Sequence, residues 1–383
     1  MAGYVFAIGG DIAEPAAVIR ECVQKGVYST YVRTTAPLPF EGTLADYLSM
    51  KPGDNIYFFC KRKYYGVGEL IAVGPDCKYN NYPTASAPQE FQYGAIRDSL
   101  LVDNGEESPC YRWICTFKGS PAFFERGIDT DEILSYKPNT FRMLRAFWKV
   151  SFIKLGDEEN NSLKEIFLLR HQQELTTGTG IIRTEPVTHD AIREKVRPEY
   201  TITMRSVLEG CVRRGRLGHE MALEAATIEA LAQDRLPILG HWDYISHQVI
   251  ASPFKPIDYM DKIDVFASRY LQGTTIPCKY LVAELKKDEA DITTIDQVLK
   301  YVDWVCREYA YGDYDAVEAC IIAYGFPADI GAYFRENVKR NYTQGSHPIQ
   351  NKEWSNLRLI SYRYNDGRVE YRDETPERIL YYP

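Results

Sequence analysis

Apolar positions recur along this chain with two different periods, and the changes between them mark its elements. Short apolar or alternating runs at residues 4–9 (YVFAIG), 55–60 (NIYFFC), 64–71 (YYGVGELI) and 111–117 predict strands. Helical spacing appears over residues 15–25, stopped near Gly26, and over residues 157–171, an amphipathic stretch with acids at its start. Further along, the run Tyr280-Leu281-Val282-Ala283 predicts a buried strand that leads straight into Glu284-Leu285-Lys286. Ile295, Val298, Leu299, Val302 and Val305 then repeat at helical spacing. Residues 262–266 (KIDVF) and 317–324 (VEACIIAY) read as strands, 329–339 as a helix, and 357–363 with 368–371 as a hairpin across Asp366-Gly367. The tail at 379–382 reads as a final edge strand.

Two domains follow from this order. The Thr177-Gly178-Thr179-Gly180 segment within residues 174–188 is the best linker candidate, which places the boundary near residue 185. Residues 1–185, with short strands, frequent turns and little helix, suggest a small β-barrel, with residues 74–109 as an insertion or long loop. Residues 186–383 alternate helix and strand, as expected of a mixed sheet flanked by helices. The fold class expected is therefore α+β, in two domains.

Composition narrows the setting. The chain has 383 residues, 45% of them apolar, and no run approaching the roughly 18 apolar residues a membrane helix needs. Its start lacks a basic region followed by a long apolar segment, so cytoplasmic residence is expected. The nine cysteines are scattered without a C-x-x-C pair, which predicts reduced thiols and no structural zinc. A net charge of -8 argues against indiscriminate nucleic-acid binding. It leaves room for a local basic face: Arg193, Lys195, Arg197, Arg205, Arg213, Arg214 and Arg216 stand against three glutamates between residues 192 and 218. Arg205, Arg213, Arg214 and Arg216 are candidate phosphate contacts, a solvated helix surface being the plain alternative.

The candidate chemistry lies at the end of the 280–286 strand. Side chains alternate along a strand, so Glu284 and Lys286 point to one side and Leu285 to the other. Pairing with the 262–266 strand would bring Asp264 close to both. Two carboxylates and a lysine at adjacent strand ends can bind a hard divalent cation, lower the pKa of a bound water and orient it for phosphodiester attack. E-x-K alone is common on exposed strands; the apolar approach and the preceding I-D-V strand set this one apart. His247 could serve as a general base, but no partner stands at a recognisable spacing. No Ser-His-Asp pattern, P-loop or H-E-x-x-H appears, and Gly66-x-Gly68 lacks the helix of a dinucleotide fingerprint.

Asp264, Glu284-x-Lys286 and the following helix with Gln297 and Tyr301 resemble the PD-(D/E)XK nuclease superfamily. The wording IDVFA, YLVAELKKDEA and DQVLKYVDWV is most similar to the branch containing mismatch endonucleases and the Shedu phage-defence nucleases. The resemblance covers residues 209–371. It implies an α/β nuclease domain with a central mixed sheet, Mg2+ (or Mn2+) held by Asp264 and Glu284, and an additional metal-facing acid on an earlier helix. Glu220 is the best match for that acid, with Glu224 one turn later as the other choice. An ordinary first-turn acid is the plain reading of Glu220, and a helix-surface amide that of Gln297.

The N-terminal run MKPGDNIYFFCKRKYYGVGELIAV is similar to the PUA-like barrels, particularly the EVE branch and its YTH relatives. That resemblance implies a reader of a flipped, often modified base, stacked on aromatic side chains. Tyr28, Tyr31, Trp113 and Trp148 are the pocket candidates, with barrel core as their other reading. Together the two resemblances imply a metal-dependent endonuclease cutting modified DNA, as in restriction of phage, and a homodimer if both strands are cut. The alternatives are a structure- or mismatch-specific nuclease and a non-catalytic nucleic-acid-binding protein.

Overall fold

The computed structural model describes residues 2–9, 14–31, 37–83, 93–103, 105, 112–141, 152–251 and 261–376, with residues 31, 37–42 and 112 as backbone only. The chain is mixed α+β and divides into two compact units, Met1–Gly210 and Cys211–Pro383.

The first unit opens with β1 (Gly3–Ala7), α1 (Pro15–Lys25), β2 (Val27–Tyr31) and α2 (Pro37–Ser49). Pro15 starts α1 where its missing N–H costs nothing, and Gly26 ends it in a left-handed conformation at φ +61°. There follow β3 (Asn55–Cys60), β4 (Lys63–Leu70), β5 (Lys78–Asn80) and α3 (Tyr93–Ile96). The long β6 (Arg112–Asp129) then leads into α4 (Thr130–Tyr136), whose N-terminus Asp129 caps by accepting from the Asp131 N–H. The unit closes with β7 (Phe152–Leu155), α5 (Asp157–Arg170), α6 (Gln172–Thr177), β8 (Ile181–Ile182), α7 (Val187–Lys195) and α8 (Met204–Cys211). Its eight-stranded sheet runs β2-β6-β4-β3-β1-β7, with β5 and β8 also on β6, and curls into a half-barrel. β6 is long enough to serve both ends of the curl: residues 113–116 pair with β2 while Phe123 and Phe124 pair with β8.

The expected boundary near residue 185 moves to 210. Residues 181–200 are built into the first unit instead of linking away from it. Ile181 and Ile182 add a strand to β6, the buried His189 ring meets the Gly26 carbonyl at 2.9 Å, and Thr201 bridges to Tyr79. Ile192, Val196 and Tyr200 complete an apolar cluster with Val27, Val73, Tyr79 and Ile114. A linker reading fails because those side chains need that cover.

The second unit begins with a ribbon, β9 (Val212–Arg213) and β10 (Arg216–Leu217), then α9 (Glu220–Ala232) and β11 (Tyr244–Ile250). β12 (Lys262–Tyr270), β13 (Pro277–Glu289), α10 (Ile292–Glu308) and β14 (Val317–Gly325) carry the middle of the sheet. α11 (Ile330–Asn337), the hairpin β15 (Arg340–Gln344) and β16 (Gln350–Trp354), and then β17 (Leu357–Asn365) and β18 (Arg368–Asp373) complete it. The six-stranded order is β11-β12-β13-β14-β17-β18, with β13, β14 and β17 parallel and the outer pairings antiparallel, a mixed sheet as expected. α10 is the crossover between the parallel β13 and β14 and packs on both; α9 packs on β11, β12 and β13. No helix among the described residues is long and apolar enough to cross a membrane. The expected edge strand at 379–382 lies outside the described residues.

Candidate active site

The middle strands place the chemistry. β13 is buried from Tyr280 to Leu285, and only at Lys286 does it begin to open. β12 runs antiparallel to it with Val265 opposite Ala283, which sets Asp264 beside the Glu284-to-Lys286 segment. Asp264 Oδ2 accepts from the Leu285 N–H at 2.8 Å. Glu284, 2% exposed, takes the Lys286 ammonium on Oε1 at 2.7 Å, whereas its buried Oε2 has no hydrogen-bond partner among the described residues. A buried carboxylate oxygen left without a donor is costly, and it marks a place where a cation or proton would be favourable.

Helix α9 brings two more acids to the same strands. Glu220, at its first turn, accepts from the Lys287 N–H at 3.1 Å. Glu224, one turn later and 6% exposed, meets Nδ1 of the buried His247 at 2.8 Å. His247 therefore has a partner, 23 residues away on α9. Gln248 sits between the acids: its amide donates to Asp264 Oδ1 at 3.2 Å and to Glu224 Oε1 at 3.4 Å. Its backbone is left-handed, φ +51°, an uncommon state for a residue with a Cβ. The i, i+4 spacing of Glu220 and Glu224 was a legible signal for one helix face; nothing in the sequence announces Gln248, because its role depends on a backbone twist.

The acids crowd one another. Burial first, then the charges of Glu284 and Glu224, push the Asp264 carboxyl well above the usual carboxylate range. Burial also raises Glu284, with the Glu220 charge adding to it, while the Lys286 ammonium and a hydrogen bond shared with the Asp264 carboxyl oppose. For Lys286, partial burial pulls downward, but Glu284, Asp264 and Glu220 outweigh it and the ammonium is held above its ordinary range. From α10, Gln297 donates to the Tyr301 hydroxyl at 2.7 Å. Tyr301 is raised by burial and lies within the fields of Glu284 and Asp264, so Gln297 reaches the carboxylates at one remove.

The donor set fits a hard divalent cation in part. Among the described residues no group of three or more His, Cys, Asp or Glu side chains is arranged to hold a metal. Glu220 is engaged with the Lys287 backbone, so the expected three-ligand set is not drawn together. The Asp264 and Glu284 pair, with its unpartnered oxygen, remains. Mg2+ is commonly held through one or two carboxylates, water and substrate phosphate completing its shell.

The remaining candidates divide. Tyr28 is 8% exposed, stacks on Phe6 with ring centres 4.8 Å apart, and donates its hydroxyl to the Ala7 carbonyl at 2.6 Å. Trp113 is 2% exposed and stacks on Tyr47 at 5.1 Å. Both rings belong to the core, the other of the two readings the sequence left open for them. Apolar area drives them inward as strongly as it would drive stacking on a base. Tyr31 is described as backbone only, opposite Arg112, and Trp148 lies outside the described residues. Arg205 pairs with Glu209 at 2.8 Å on α8, in the first unit; the other arginines belong to the β9–β10 ribbon. Arg213, Arg214 and Arg216 are exposed on that ribbon, Arg214 at its left-handed turn.

Comparison with protein-family models, with curated proteins and with solved structures found no match, so the reading of the site rests on its own geometry.

Proposed function

We propose that the chain is a metal-dependent DNA endonuclease whose second unit hydrolyses phosphodiesters and whose first unit grips or reads the DNA. The observation that carries this reading is the meeting of Asp264, Glu284 and Lys286 on the adjacent strands β12 and β13, with the buried Glu284 Oε2 given no donor among the described residues. Asp264 and Glu284 would hold Mg2+ or Mn2+, with Glu220 a further ligand once released from the Lys287 N–H. Bound there, the ion would supply Lewis-acid polarisation of the phosphoryl group and a more acidic water. Lys286, favoured as an ammonium by its carboxylate neighbours, would orient an attacking water and stabilise charge developing on the phosphoryl oxygens. Gln297 fixes the Tyr301 hydroxyl, and Gln248 holds Asp264 in place.

Pairing a reader with a cutter suggests cleavage conditional on a base mark, as in restriction of phage DNA. The burial of Tyr28 and Trp113 favours a second reading, a structure- or mismatch-specific nuclease whose half-barrel only grips the backbone. A Mg2+-dependent cleavage assay separates them. Its substrates are duplexes of one sequence carrying cytosine, methylcytosine, hydroxymethylcytosine, glucosylated hydroxymethylcytosine or a mismatch. Selective cutting of one modified DNA, lost in Lys286→Ala, is the expected result, and cutting confined to the mismatch would favour the second reading. Absence of cutting on every substrate would overturn the enzyme reading and leave a non-catalytic DNA-binding protein.

A further inference from the structure

Two guanidinium groups converge on one ring at the same end of the sheet as the candidate site. Arg216, on β10, lies with its guanidinium carbon 4.1 Å from the centre of the Tyr324 ring, and Arg363, near the end of β17, lies at the same 4.1 Å. Register explains the meeting. β13, β14 and β17 run parallel, with Lys286 beside Ala323 and Ala323 beside Ser361, so Tyr324 and Arg363 lie just past the level of Lys286. Arg216 comes from the ribbon four residues before Glu220, and β10 packs on β17. Tyr362 joins the two places: its hydroxyl donates to the Lys287 carbonyl at 2.6 Å, its ring meets Tyr324 edge-on at 5.9 Å, and the Lys287 N–H is the group held by Glu220.

Neither arginine forms an ion pair with a carboxylate among the described residues, and both are exposed. Arg363 is pinned by donating Nη1 to the carbonyls of Tyr324 and Tyr362. A guanidinium over an aromatic face keeps its in-plane N–H groups directed outward, which suits bidentate binding of a phosphate. Two like charges held on one ring in a chain of net charge -8 call for an anion.

We infer that Arg216, Tyr324 and Arg363 form a clamp for the phosphodiester backbone of duplex DNA beside the scissile position. The inference rests on the nuclease reading for its substrate but is tested by binding alone. Labelled duplex is titrated in EDTA at several salt concentrations against wild type, Arg216→Gln/Arg363→Gln, and Arg358→Gln. The last removes a charge from the same strand, where Arg358 is paired with Asp373, and thermal melting checks that each variant is folded. Each lost phosphate contact removes about 0.9 from the slope of log K against log salt, so the double variant loses about 2 while Arg358→Gln keeps the wild-type slope. An unchanged slope in the folded double variant overturns the clamp, as does failure of wild type to bind duplex. A reduced slope without cleavage by wild type supports the clamp and sinks only the nuclease reading.

Discussion

At the scale of single residues, the site is a local conflict that a bound cation would relieve. Asp264 and Glu284 both have carboxyls raised by burial and by neighbouring acids. A raised folded-state pKa means that the folded protein holds protons the unfolded chain has released. That stability is complete below the unfolded carboxyl value of about 4 and is lost as pH rises through the raised values. Glu284→Gln removes one charge, keeps an oxygen for Lys286 and offers an amide N–H where Oε2 now lacks a donor. Its metal-free melting temperature should therefore exceed that of wild type at pH 8 by roughly 2–4 °C, or about 1 kcal/mol, and the difference should close towards pH 4. Adding Mg2+ should raise the melting temperature of wild type only. A variant melting below wild type at pH 8 in EDTA would contradict the crowding argument. Because the ion must displace protons from the pair, Mg2+ affinity measured calorimetrically should rise with pH, with proton release to the buffer.

At the scale of elements, most of what carries the site was legible and most of what supports it was not. The strand holding Asp264, the strand ending in Glu284-x-Lys286 and the helix with Gln297 all appear where the apolar periods predict them. They are legible because each is a long apolar face whose period is fixed by backbone geometry. The Glu224–His247 contact joins a helix to a strand, and such pairing leaves no trace in local period. The aromatic candidates stayed open between two readings for a related reason, since a ring buried in a barrel and a ring stacked on a base have the same composition. Helix α10 offers a test of how far its own termination matters. Asp291 caps it by accepting from the Thr293 and Thr294 N–H groups at 3.0 and 3.2 Å. A hydrogen bond from the Thr293 hydroxyl first, and then those backbone N–H groups, hold its carboxyl below the usual range. Asp291→Ala should cost about 1 kcal/mol at neutral pH by chemical denaturation. The depressed pKa places the cap's contribution above the unfolded carboxyl value, so the difference from wild type should shrink as pH falls through the folded one. A penalty that stays constant into strong acid would show that α10 is held by its apolar face and not by its cap.

At the scale of the whole molecule, the division at residue 210 is the feature most open to direct test. A Gly- and Thr-rich stretch suggested a boundary near 185, but composition reports what a segment could do and not what its neighbours need. Helix α7 and the turn after it bring Ile192, Val196 and Tyr200 over Val27, Val73 and Ile114. Removing that cover exposes Val27, Val73 and Ile114 beneath it, at about 1.5–3 kcal/mol for each side chain fully uncovered. It also leaves the Gly26 carbonyl without the His189 ring. Gly26 is fitted to that ring: a Cβ there would lie 2.4 Å from His189 Nε2 and 2.6 Å from the Phe117 carbonyl, at a φ of +61°. A fragment of residues 1–210 should fold cooperatively and remain monomeric in solution, whereas 1–185 should melt lower or aggregate. Gly26→Ala should destabilise 1–210 by more than 1 kcal/mol, from backbone strain and the clash together. In 1–185 the same substitution keeps only the strain and the Phe117 carbonyl contact, so its cost should be smaller. Equal melting of the two fragments would mean that α7 merely rests on the half-barrel, and the boundary would return to where the sequence first suggested it.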